Sequence, residues 1–125
     1  MNSMNRITVV GRLTKDPELK ELENGSKVAN VTLAVDREYK DKDGKKPTDF
    51  LPFALWGKNA ENICEISKKG SLICLEGYST MREIEKDGKK DYVFTPVITN
   101  YKHLALKKDY SNDNIPEIEQ EEMEK

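Results

Sequence analysis

Apolar and polar positions alternate with a period of two along much of this chain, the pattern of strands with one face against a core. Asn5 to Thr14 sets Ile7, Val9 and Leu13 in step, with Gly11 placed for a bulge or a sharp bend. Lys15-Asp16-Pro17 breaks that run, and Asn24-Gly25, two residues tolerant of positive φ, predicts a hairpin turn. Lys27 to Tyr39 reads as a second strand, with Val31, Leu33 and Val35 on one face and Thr32 and Ala34 on the other. Asp43-Gly44 marks the next turn, and Asp49 to Trp56 forms a third strand. The period then changes. Ala60, Ile63, Cys64 and Ser67 recur at helical spacing, which predicts one helix from Lys58 to Lys69, stopped by Gly70. A fourth strand, Ser71 to Glu85, turns at Asp87-Gly88 into a fifth, Asp91 to Lys107. Three strands, one helix and two strands is the order of the OB-fold, a partly open Greek-key barrel.

The third strand has two apolar faces. Leu51, Phe53 and Leu55 make one, directed to the core; Phe50, Pro52, Ala54 and Trp56 make the other. Two large aromatics on an outer face call for a ligand or a partner. Phe53 and Phe94 are candidate core residues, whereas Trp56 is not, because its strand already has a better apolar face. Tyr39 closes the second strand and Tyr92 opens the fifth, and Arg37, Lys45, Lys46, Lys58, Arg82, Lys89 and Lys90 interleave with these rings. Unpaired bases present π-faces and their backbone presents phosphates, so this mixture reads as a sequence-tolerant platform for single-stranded nucleic acid. Lys42-Asp43-Gly44-Lys45-Lys46 recurs as Lys86-Asp87-Gly88-Lys89-Lys90. Type I′ turn chemistry with solvated lysines accounts for the echo, and so does a pair of basic fingers beside a binding face; the two readings are compatible.

Composition narrows the alternatives. The 125 residues suit one domain, residues 1–108, followed by an acidic tail, residues 109–125. With 36% hydrophobic and 35% charged residues the core is modest, and an oligomer interface would supplement it. No run approaches the ~18 apolar residues of a membrane span, and the N-terminus lacks the apolar stretch of a signal peptide, so the cytoplasm is the expected compartment. The net charge of −2 conceals an asymmetry: the tail carries seven acids against one base, −6, which leaves +4 on the residues before it. That tail is too charged and too short to bury a core and reads as flexible. Cys64, Cys74 and a single His103 supply neither a zinc set nor a histidine-based triad, so no metal or cofactor is expected and the cysteines read as two buried thiols. A nuclease needs clustered acids for Mg²⁺; Asp41-x-Asp43 is ringed by lysines, and Gly44 stands at the fourth rather than the sixth position of a calcium loop. Catalysis is not expected. A pure protein-interaction module is the remaining rival class, and it would leave Trp56 unresponsive to an oligonucleotide.

The ordered series Asn5-Arg6-Ile7, Val10-Gly11-Arg12-Leu13-Thr14-Lys15-Asp16-Pro17-Glu18-Leu19, Asn24-Gly25, Val28 to Val35, Trp56-Gly57-Lys58-Asn59-Ala60-Glu61, Lys68-Lys69-Gly70-Ser71 and Leu75-Glu76-Gly77 resembles the bacterial and phage-type single-stranded DNA-binding proteins, the SSB family. The resemblance spans Asn5 to about Leu106. It implies an OB-fold, usually a homotetramer, that coats single-stranded DNA in replication, recombination and repair. It places stacking aromatics at Tyr39, Phe50 and Trp56, and a fourth position at Ile84, where this chain has no ring. Pro52 stands where a basic residue is common. The family commonly ends in an acidic tip of Asp-Asp-Asp-Ile-Pro-Phe type that docks replication and repair proteins. Here Asp113-Asn114-Ile115-Pro116 leads into Glu117 instead of the aromatic, with residues running on to Lys125, which counts against recruitment through the tail. An OB-fold binder of single-stranded RNA, or a primosome-type adaptor, shares the groove physics, and competition between DNA and RNA separates them.

Overall fold

The computed structural model describes residues 2–106; the acidic tail, 109–125, and Lys107, the expected end of the last strand, lie outside them. Six strands and a helix follow in the order β1 (Ile7–Leu13), β2 (Lys20–Glu21), β3 (Lys27–Asp36), β4 (Thr48–Trp56), α1 (Lys58–Ile66), β5 (Leu72–Lys86) and β6 (Lys89–Ala105). Every ladder is antiparallel, in the order β2-β3-β1-β5-β6, with β4 on the other edge of β3. This is the OB-fold expected from the pattern. The alternating residues meet inside it: Leu33, Leu55, Ile63, Ile73 and Leu75 are fully buried, and Phe53 joins them. Helix α1 lays Ala60 and Ile63 against β3, β4 and β6.

The start of the helix is tied to one residue of β3. The N–H of Gly57, whose φ of 60° turns the chain out of β4, donates to the Lys27 carbonyl at 2.9 Å. The Lys27 ammonium meets the Glu61 carboxylate at 2.6 Å; the hydrogen bond raises the lysine's pKa and lowers the glutamate's.

Several boundaries differ from the sequence reading. β2 is a two-residue strand of exposed Lys20 and Glu21, with no apolar pattern to reveal it, and the Asn24-Gly25 turn joins it, not β1, to β3. Helix α1 ends at Ile66 rather than Lys69, because Ser67 takes an extended conformation and turns its buried hydroxyl to Tyr101 and to His103 Nδ1, the latter at 2.9 Å. β3 ends at Asp36, so Arg37 and Tyr39 sit in the loop to β4. In that loop the Asp41 carboxylate accepts the N–H groups of Asp43 and Lys45, each at 2.9 Å. Of the two KDGKK segments, only Asp87-Gly88 has both central residues at positive φ, so the first is not a type I′ hairpin. Cys64 and Cys74 are free and half-buried rather than buried.

Gly11 is neither a bulge nor a break in the β1–β5 register; a Cβ there would stand 2.7 Å from the Ala34 carbonyl oxygen, so the glycine serves the close crossing of β3. The register irregularities lie instead in the β5–β6 ladder, between Leu72 and Ile73 and between Glu76 and Gly77, and at the second β5 pairs with β1 on one side and β6 on the other. A Cβ on Gly77 would overlap the Val97 carbonyl oxygen, and backbone cannot rotate away as a side chain does. Gly77→Ala is therefore expected to lower unfolding free energy by about 1–3 kcal/mol. Chemical denaturation reads it, and an unchanged midpoint would mean that β6 yields at this point.

Candidate nucleic-acid interface

β4 presents the two faces that its sequence implies. Leu55 and Phe53 turn inward, while Phe50 and Trp56 stand outward at 64% and 51% exposure. Pairing with β3 sets Trp56 beside Val28, Ala54 beside Asn30, Pro52 beside Thr32 and Phe50 beside Ala34. Small or flat side chains thus fill the space between two rings, which lie six residues, or about 20 Å, apart along the strand. This is a floor with a ring at each end.

A wall rises beside it. From Tyr78 outward β5 pairs only with β6, forming a two-stranded ribbon whose residues alternate between faces. Arg82 and Thr95 line the same open groove, about 440 Å³, as Asn30, Thr32, Pro52 and Ala54. Ile84 shares the face of Arg82, two residues along. Tyr92 is opposite Glu83, on the other face of the ribbon, beside the cross-strand pair Met81 and Phe94. The structure therefore does not bring Tyr92 together with Phe50 and Trp56. Phe94, a candidate for the core, is 65% exposed on that reverse face.

β6 faces β4 across the groove, yet no ladder joins them among the described residues. Both are edge strands, and Pro52 and Pro96, one from each, line the gap. Proline lacks the N–H that a ladder needs and is found on sheet edges for that reason.

The expected cations divide into two groups. Arg37 forms a two-point ion pair with Asp49, both contacts at 3.0 Å, Lys90 lies 3.5 Å from Glu83, and Lys58 lies 3.9 Å from Glu61. Hydrogen bonding to Arg37 holds the Asp49 carboxyl below its ordinary value. Lys45, Lys46, Arg82 and Lys89 have no ion pair among the described residues. Lys89 is on the groove face of the ribbon, whereas Lys90 shares the reverse face with Tyr92. Tyr39 is exposed in the β3–β4 loop, its hydroxyl accepting from Arg37 at 2.7 Å.

Sequence reasoning missed Lys15, Asn30, Thr32 and Thr95 as groove residues. Lys15 reads locally as part of a strand break; its place in the groove depends on how β1 passes β3, which no local pattern records. Among the described residues no group of three or more His, Cys, Asp or Glu side chains could hold a metal. Among the described residues no helix is long and apolar enough to cross a membrane.

Known proteins resemble this chain over nearly the whole of the described region. It is 42% identical to single-stranded DNA-binding protein 2 of Clostridium acetobutylicum, over 90% of this chain and 85% of that one. Single-stranded DNA-binding protein 3 of Listeria innocua is 40% identical, over 89% of this chain and 79% of its own. Single-stranded DNA-binding protein 1 of Clostridium acetobutylicum is 36% identical and is covered over 98% of its length. Residues 4–104 match the model of the single-strand binding protein family, and the chain belongs to that family.

Proposed function

We propose that this protein binds single-stranded DNA along the β4 groove with little base preference. Bases stack on Phe50, Trp56 and Tyr39, and phosphates meet Lys15, Lys45, Lys46, Arg82 and Lys89. The observation that carries this reading is the pair of exposed rings at the two ends of a floor of small side chains, on a strand whose other face is core. An exposed ring in water has unfavourable hydration that a stacked base relieves, and every base has a face to offer. The names of the relatives favour DNA over the RNA-binding or adaptor alternatives. The role is binding, in the cytoplasm, in support of replication, recombination and repair, and residues 1–108 supply the binding module.

Assembly with further copies, as a homotetramer, belongs to the same reading. From Ile7 to Gly11 the edge of β1 turned away from β5 has no ladder partner among the described residues, and Val10 is exposed along it. An open edge is a template for a second chain. Sedimentation of the free protein is expected to show a species of several copies; a persistent single copy at micromolar concentration would remove this part of the proposal.

Oligo-dT is expected to quench the fluorescence of Trp56, the only tryptophan. Phe50→Ala and Trp56→Ala should each weaken binding by about 1–3 kcal/mol. Parent-like affinity in Trp56→Ala, read by anisotropy of a labelled strand, would sink the stacking platform. The two faces of the ribbon supply an internal control. Ile84→Trp, on the groove side, should tighten binding, and Tyr92→Ala, on the reverse side, should change it by less than about 0.5 kcal/mol. If Tyr92→Ala costs more than Trp56→Ala, the strand follows the other face of the ribbon.

A further inference from the structure

We propose that Arg37 is a positioning residue rather than a phosphate contact: clamped by Asp49, its guanidinium fixes the Tyr39 ring at the margin of the platform. The proposal rests on the reading of Tyr39 as a stacking ring.

The geometry begins at the backbone. Arg37 is the first residue beyond β3, and its N–H still donates to the Pro47 carbonyl at 2.8 Å, so its Cα is held where β3 and β4 part. Asp49, the second residue of β4, offers both carboxylate oxygens, and Arg37 Nε and Nη2 donate to them at 3.0 Å each. A two-point fork fixes the plane of a guanidinium as well as its position. The remaining nitrogen, Nη1, donates to the Tyr39 hydroxyl at 2.7 Å, and Cζ lies 6.0 Å from the ring centroid. Among the described residues Tyr39 has no other side-chain partner: it is exposed, and its loop has left the ladder. One side chain thus connects a rigid strand to a ring that would otherwise sample its rotamers.

Two physical consequences separate this role from a phosphate contact. A ring already held in place loses less conformational freedom when a base stacks on it, so the clamp acts through affinity. A phosphate beside the Arg37–Asp49 pair meets a charge that is already compensated, so it displaces few counterions and adds little to the salt dependence. Lys45 and Lys46, ten residues or fewer along the same loop, have no ion pair among the described residues and remain for the phosphates. Lysine cannot reproduce the planar fork, so Arg37→Lys keeps the charge and loses the geometry.

The test is titration of the full chain with oligo-dT across a salt series, by Trp56 quenching, with thermal melting to confirm folding. Arg37→Lys and Tyr39→Phe are each expected to weaken binding roughly three- to tenfold, without changing the slope of log affinity against log salt. Tyr39→Phe leaves the ion pair intact, so it stays informative even if Arg37 variants fold poorly. Asp49→Asn uncovers the Arg37 charge and should steepen the slope by about 0.7. A parent-like Arg37→Lys beside an Arg37→Ala that binds weakly with a shallower slope would make Arg37 a phosphate contact and overturn the proposal. So would an Arg37→Ala or Tyr39→Ala that binds like the parent. Failure of the parent itself to quench would refute the groove reading, a different result from any of these.

Discussion

The β4–β6 gap governs the rest of the molecule. The sheet curls through β3, β1, β5 and β6 until β6 faces β4, and there the hydrogen-bonded circuit stops. Had the two edges zipped together, the outer face of β4 would have lost its facing wall and the ribbon would have been drawn flat against the barrel. Pro52 and Pro96 each remove a donor from one of the two edges, and both side chains line the space left between them. The same substitution of ring for N–H therefore leaves the barrel partly open and keeps a long exposed edge from pairing with a stranger.

Within that frame β4 has to satisfy two solvents at once. Its inward set, Leu51, Phe53 and Leu55, joins a core that α1 completes with Ala60 and Ile63. Its outward set contains two aromatics that a monomer gains nothing by exposing. Full burial of such side chains stabilises a domain by about 1.5–3 kcal/mol each, so leaving Phe50 and Trp56 outside forgoes folding energy that remains available for association. The cations around the floor follow a similar division. Those paired with carboxylates shape the structure, as Lys27 and Arg37 do, and those without such partners leave their charge uncompensated at the surface.

The strands, the helix and the two faces of β4 were legible because they rest on periodicity, which is local. What escaped the sequence depends on partners far along the chain. The helix ends early because Ser67 finds Tyr101 and His103, more than thirty positions away. Its place at the opening of a strand groups Tyr92 with Phe50 and Trp56, but pairing with Glu83 puts it on the reverse face of the ribbon. Phe94 reads in sequence as a candidate for the core, and only the extension of the ribbon beyond β1 leaves it uncovered. Arg37 carried the right charge for a phosphate; its carboxylate partner is twelve positions away on the neighbouring strand.

Among the described strands, the ribbon is the one most easily opened. Between Leu72 and Gly77, β5 is held on both sides, by β1 and by β6; from Tyr78 to Lys86 each residue has a single neighbouring strand. Opening the ladder from its Asp87-Gly88 tip disturbs no side chain of the buried cluster until it reaches Ile98. Local unfolding there is cheap compared with global unfolding. One wall of the groove can therefore lean, twist or fray while the barrel that anchors it keeps its shape, so compliance is confined to a single element.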